Sequence, residues 1–216
     1  MTAAALVCRS CGTELPTNSK FCNECGAVAT ATTPAEYKQV TVLFADVVRS
    51  MDIAAAVGAE LLREIMAELA DRCAAVVKRY GGTVDKFTGD GIMAVFGAPL
   101  ALEDHAVRAC LAALGVQEET KRLAVDVHAR DGVDLQLRVG LNSGEVIAGE
   151  IGSGAFGYTA VGEQVGMAQR MESVAPPGGV MLSASTARLV EGAATLGEVE
   201  RVRIKGTDQP VVRWTR

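Results

Sequence analysis

The sequence has no apolar run approaching the ~18 residues that a membrane span requires, so no membrane-embedded segment is expected in its 216 residues. Its opening, "MTAAALVCRS", lacks a basic leader and is too briefly apolar for a signal peptide. The expected location is therefore the cytoplasm, with no membrane partner. An excess of positive charge is also missing. The 21 Lys and Arg stand against 26 Asp and Glu, a net charge of −5. Bulk electrostatics of this sign do not hold a polyanion, so nucleic acid is not an expected partner. Any anionic ligand needs a local cluster of cations or a metal. Histidine is scarce: His105 and His128 fall in the neighbourhood of one helical pattern, show no ligand spacing, and read as ordinary helix residues.

Hydrophobic residues make up 49% of the chain, enough for a proper core, and the length suits one main domain with a small appendage. The six cysteines divide by context. Cys73 and Cys110 lie alone within helical patterns and read as small core residues. The other four form two C-x-x-C-G knuckles, "CRSCG" and "CNECG", built on Cys8, Cys11, Cys22 and Cys25. Four thiolates so arranged suit a tetrahedral Zn²⁺, and a reducing compartment disfavours disulfides. The segment has no core of its own, so a structural zinc would supply its folding energy. Residues 1–30 are read as a zinc ribbon and 31–37 as a linker of small residues, Thr and one Pro. Residues 38–216 are the globular domain. Arg9 and Lys20 make a poor basic patch, so the ribbon reads as structural or regulatory.

In the globular part, "KQVTVLFADVV" predicts a first strand. A helix follows over about 54–80, with Leu62, Ile65, Leu69, Cys73, Val76 and Tyr80 on one face and Gly81-Gly82 as its stop. "TVDKF" is a second strand, "TGDG" a turn and "IMAVFG" a third strand. A second long helix runs from about Glu103 to near Ala129, with Asp104 the candidate N-cap. "DLQLRVGLNSG" and "EVIAGEI" read as a fourth and a fifth strand, and a helix over about 163–174 follows a glycine-rich loop. The order β-α-β-β-α-β defines an α+β, ferredoxin-like split βαβ sheet. In that arrangement strand one lies beside strand three. Asp46 at the end of strand one and Asp90 in the turn then become neighbours, although they are 44 positions apart. Two carboxylates side by side coexist ionised when a divalent cation bridges them. Hard oxygen ligands in small number suit Mg²⁺ or Mn²⁺, with a substrate phosphate completing the shell.

These motifs, with "KFTGDGIMAVFGAPLALEDHAVRA", "RVGLNSGEVIAGEIG" and "YTAVGEQVGMAQRMES", resemble in order and spacing those of the class III nucleotidyl cyclases, from about Gln39 to the C-terminus. The resemblance implies an adenylyl cyclase that converts ATP to cyclic AMP and pyrophosphate, acting as a homodimer with its sites between protomers. It implies that Asp46 and Asp90 hold two Mg²⁺ or Mn²⁺ ions per site. Lys86 matches the lysine that reads the purine: it can only donate, adenine N1 can only accept, and guanine N1 carries a proton. Thr159 falls at the second purine reader, where many adenylyl cyclases have aspartate. Its hydroxyl can accept from the adenine amino group but can also donate, so it discriminates weakly. Arg170 matches the arginine that stabilises the transferring phosphate, and Lys205 the lysine that holds the terminal phosphates. Arg201, Arg203 and Lys205 alternate along a strand, so a solvated face explains that stripe equally well.

Two positions depart from the pattern. Gly166 stands four residues before Arg170, where the family pattern has an asparagine that orients the ribose. Losing one positioned polar group costs roughly 10²–10³ in rate, so a lowered activity is expected. The alternative is a cyclase homology domain that binds nucleotide, has lost turnover and serves a regulatory role. A third reading is a zinc-mediated interaction protein. Arg49, just after Asp46, replaces the more glycine- and threonine-like segment that wraps the phosphates. "GSGAFG" at 152–157 matches G-x-G-x-x-G but does not run straight into a helix, as a dinucleotide-binding turn must. "YGGTVD" lacks the acids that a diguanylate cyclase places after its glycine pair.

Overall fold

The computed structural model describes residues 6–8, 10–16, 19–27, 35–150, 158–197 and 211–214. Near the N-terminus, β1 (Leu6–Val7) and β2 (Glu14–Leu15) form a small antiparallel ribbon. Its interior is little more than Cys8, Leu15 and Cys22, too few apolar groups to hold it without further cross-linking.

The main sheet begins with β3 (Glu36–Val47), whose near-continuous apolar run is buried on both faces, as a central strand requires. Helices α1 (Ser50–Val57) and α2 (Ala59–Arg79) follow. The single helix expected over 54–80 is thus two, parted at Gly58 with φ +85°. The periodic face is as expected: Ile65, Leu69, Cys73 and Val76 are buried, and Gly81 at φ +79° follows the last turn. Next come the hairpin β4 (Thr83–Phe87) and β5 (Gly91–Phe96), then α3 (His105–Asp131). Asp104 does precede α3, but its carboxylate makes no cap bond and takes Arg108 Nε at 2.6 Å instead.

The fourth and fifth strands expected from sequence are one strand, β6 (Leu137–Glu150). It runs unbroken because it pairs along its length with β3, from Val47↔Leu137 to Glu36↔Ala148. Beyond it lie β7 (Tyr158–Val161), α4 (Glu163–Val174), β8 (Val180–Ser183), α5 (Ala184–Val190) and β9 (Val211–Trp214). The sheet order is β4-β5-β3-β6-β8-β9, with β7 paired to β6. Its first four strands carry the split βαβ arrangement, with strand one beside strand three as expected.

Period-two alternation along β3 sends its residues to two separate cores. Leu43, Ala45 and Val47 face α2 and α3, together with Ile92, Ala94 and Phe96 of β5. Val40, Val42 and Phe44 face the other way with Met93, Val95, Ala160 and Ala168, beneath α4 and β7. Asp46 continues this second series, so it emerges on the face that α4 covers. Cys73 and Cys110 are core residues as read, with burial pushing both thiols up to about 12. His105 differs from a plain helix residue. It is buried, its Nδ1 lies 2.7 Å from Thr41 Oγ1, and a hydroxyl chain continues to Ser143 and Thr186.

Candidate active site

Asp46 ends β3 opposite two cross-strand neighbours, Gly91 on one side and Arg138 on the other. Glycine is required at 91. A Cβ there would come within 2.5 Å of the Ala45 carbonyl and 2.8 Å of Asp46 Oδ1. The β4–β5 turn therefore lies close against β3, and Val47 N–H donates to the Asp90 carbonyl at 3.0 Å. The two carboxylates meet. Burial pushes Asp46 up to about 7, helped by the hydrogen bond it shares with Asp90 and by the negative charges of Asp90 and Glu172. Burial would raise Asp90 too. The Ser50 hydroxyl, donating to Oδ2 at 2.6 Å, outweighs it together with Asp46 and Arg138, and Asp90 is held below its ordinary value.

Two facing carboxylates, one of them raised towards neutrality by burial and by its acidic neighbours, form a site whose negative charge Arg138 only partly offsets. A divalent cation with hard-oxygen preference fits it, satisfying both acids. Arg138 approaches the pair, with Nη2 3.5 Å from Asp46 Oδ2 and Nε 3.0 Å from Glu172 Oε1. Glu172 is buried on α4, and that burial raises its carboxyl above the usual range. A Cβ on Gly140 would run into the Glu172 backbone, so glycine there lets α4 lie directly on β6.

Lys86 and Thr159 form a second cluster. The β4–β5 register slips between Val84 and Lys86, leaving Asp85 as the extra residue. A bulge of this kind puts two consecutive side chains on one face. Lys86 pairs with Met93 and Asp85 lies beside Val95 and Ala160, both on the face that β7 covers. The Thr159 hydroxyl donates to Asp85 Oδ2 at 2.9 Å, and Lys86 Nζ lies 3.6 Å from the same oxygen. The Asp85 side chain is only 3% exposed, whereas that of Lys86 is 52% exposed.

Arg170 is half-buried on α4 and makes no ion pair or hydrogen bond among the described residues. Glu172, two residues further along α4, is taken by Arg138. Gly166 lies one helical turn earlier, and beyond its own turn of helix a Cβ there would meet nothing within 4 Å among the described residues. Lys205, with Arg201, Arg203 and the "GSGAFG" segment, lies outside the described residues. Sequence reading missed Ser50, Asp85, Arg138 and Glu172. The one available signal was a charged residue inside an apolar strand, as in "LRVGL".

In the ribbon, the Sγ atoms of Cys8, Cys11, Cys22 and Cys25 all lie within 4.8 Å of one another. The closest pairs, Cys8–Cys25 and Cys11–Cys22, stand at 3.5 and 3.6 Å. Four sulfurs at Zn–S bond length around one ion would sit about 3.8 Å apart, so the cluster fits zinc. Hydrogen bonding with Thr13 brings the Cys11 thiol down to about 6.

Residues 32–215 match the family model described as the adenylate and guanylate cyclase catalytic domain, and residues 7–28 match a zinc-ribbon domain. The chain belongs to the adenylate and guanylate cyclase catalytic domain family and carries a zinc ribbon ahead of that domain. It is 30% identical over 151 residues to Adenylate cyclase 1 of Rhizobium meliloti, covering 69% of this chain but spanning only 23% of that relative. The structure of the adenylyl cyclase CyaB from P. aeruginosa superimposes with a TM-score of 0.79 at 26% identity, covering 85% of this chain and 96% of that one. The guanylate cyclase domain of RhGC from Catenaria anguillulae, solved in complex with GTP, gives 0.76 at 30% identity, with 83% and 97% covered. Relatives named as adenylyl and as guanylate cyclases thus share the fold. No helix among the described residues is long and apolar enough to cross a membrane.

Proposed function

We propose that the chain is an adenylyl cyclase, converting ATP to cyclic AMP and pyrophosphate at sites formed between two copies of itself. The observation that carries this reading is the meeting of Asp46 and Asp90 at the end of β3, with Asp46 pushed up to about 7 by burial and by the Asp90 carboxyl beside it. Asp46 and Asp90 would hold two Mg²⁺ or Mn²⁺ ions, which ease deprotonation of the ribose 3′-hydroxyl and offset charge on the phosphates. Ser50 orients Asp90 through its short hydrogen bond. Lys86, Thr159 and Arg170 would come from the partner copy. In support of that division, Lys86 and Thr159 converge on Asp85 rather than on the aspartate pair. Lys86 donates to adenine N1, and Arg170, with no acidic partner among the described residues, is available to a phosphate.

Gly166 favours a second reading, a nucleotide-binding domain with a regulatory role and no turnover. The position where a ribose-orienting side chain is expected is bare, and beyond its own turn of helix a Cβ there would meet nothing within 4 Å among the described residues. The test is cyclic AMP formation by the purified chain with Mn²⁺ and ATP. The cyclase reading expects a low rate that Asp46→Ala abolishes and Gly166→Asn raises about tenfold or more. Nucleotide binding without product at any metal concentration would establish the second reading.

A further inference from the structure

We infer that Asp85 is the positioning residue that sets purine choice, by deciding which way the Thr159 hydroxyl points its proton. The inference rests on the cyclase reading above and deepens it to the substrate base. A threonine hydroxyl has one proton and two acceptor lone pairs, and facing a purine it can play either role. Here the choice is made within the chain. Asp85 is almost wholly buried, and its Oδ2 takes the Thr159 proton at 2.9 Å. A carboxylate has no proton to give back, so the bond can run only one way. The remaining capacity of Thr159 Oγ1 is that of an acceptor.

The consequence for a purine follows from its six-position. Adenine carries an amino group there, a donor that matches an acceptor-only hydroxyl. Guanine carries an oxygen, which would face a second acceptor with no proton between them. Lys86, held beside the same Asp85 oxygen at 3.6 Å, adds a group that can only donate. That suits the unprotonated N1 of adenine and opposes the N–H of guanine. The bulge at Asp85 makes the device possible, because it places an acid and a lysine consecutive in sequence on one face. Without Asp85 the Thr159 hydroxyl is free to turn and serve guanine equally.

The experiment compares ATP with GTP on the full chain with Mn²⁺, both as product formation and as binding of the unreactive α,β-methylene analogues. Asp85→Asn keeps the shape but can present either an oxygen or an N–H to Thr159, so the hydroxyl proton is no longer held inward. The expected result is a fall in the ATP-over-GTP preference of about tenfold, the usual worth of one mismatched polar contact. Thr159→Val should reduce the preference with Asp85 intact, Thr159→Ser should keep it, and Asp85→Asn should cost clearly less preference in the Thr159→Val background than in the unmodified chain, the remainder passing through Lys86. The Ser and Val variants keep the question open to measurement should Asp85→Asn fold poorly. Equal losses for both nucleotides with an unchanged preference would reduce Asp85 to a structural acid and overturn the inference. Absence of turnover with analogue binding intact sinks the cyclase reading alone, since the binding preference still tests Asp85. Binding of neither analogue overturns both.

Discussion

Arg138 and Glu172 form an ion contact at 3.0 Å that ties helix α4 to β6, the strand beside the one that carries Asp46. Glu172 comes from the helix that also bears Gly166 and Arg170, and Arg138 is the direct cross-strand neighbour of Asp46. The helix expected to handle phosphate and the strand expected to hold metal are thereby linked through one guanidinium.

Removing the acid from this contact leaves the part-buried Arg138 with the Asp46 and Asp90 carboxyls as its acidic neighbours. Glu172→Gln should destabilise the chain by about 2–4 kcal/mol, as expected when one partner of a buried pair is lost. Urea denaturation measures this. The same variant should lower the Asp46 carboxyl, because a neighbouring negative charge goes and Arg138 is released to it.

The aspartate pair predicts a pH dependence with a definite sign. Asp46 stands at about 7 against an ordinary 3.8, so between these values the folded chain holds a proton the unfolded chain has released. Its contribution to stability is complete below about pH 4 and is lost as pH rises through about 7. Asp90 is shifted the other way, and its contribution is lost only as pH falls below the ordinary carboxylate range. In chelator, Tm should carry a downward component between about pH 4 and 7 that Asp46→Asn removes. Saturating Mn²⁺ should also remove it, releasing about one proton on binding near pH 6. Calorimetric titration in two buffers of different ionisation enthalpy counts that proton.

Glycines 91 and 166 make a contrasting pair. Gly91→Ala puts a methyl against the Ala45 carbonyl and Asp46 Oδ1 at under 3 Å and must push the turn off β3. Its expected effects are a loss of roughly 1–3 kcal/mol and of metal binding near Asp90, read by thermal denaturation and Mn²⁺ titration. Beyond its own turn of helix, Gly166→Ala meets nothing within 4 Å among the described residues and replaces a mid-helix glycine, so it should stabilise by about 0.5–1 kcal/mol.

Zinc removal should act locally. The ribbon interior is three buried residues, so a strong chelator or Cys11→Ser should unfold residues 7–28 while the main sheet persists. Hydrogen exchange would show protection lost around Cys8 and Cys22 and kept along β3 and β6.

Much of this was legible in the chain because the signals were local and strong. The apolar run of β3, the periodic face of α2 and the turn at Asp90 each declare themselves within a dozen residues, and the split βαβ order then forces Asp46 towards Asp90. What could not be read depends on register. The bulge at Asp85 flips Lys86 relative to strict alternation, and no residue in "TVDKF" announces it. The glycine in "LNSGEV" reads as a turn between two strands, yet Gly144 pairs with Val40 inside one unbroken strand. Arg49, noted as a departure from a glycine-like segment, adopts φ 54° and ψ 43°, the left-handed conformation that glycine takes most readily. Arg138 and Glu172 were invisible as a pair because they are 34 positions apart and meet only when α4 lies on β6 at Gly140.

The central claim, that Asp46 and Asp90 together hold a divalent cation against a nucleotide triphosphate, is tested most directly by crystals grown with Mn²⁺ and an unreactive ATP analogue. The account predicts anomalous density bridging the two carboxylates and touching the phosphates. Density elsewhere, with the two side chains apart and nothing between them, would contradict it.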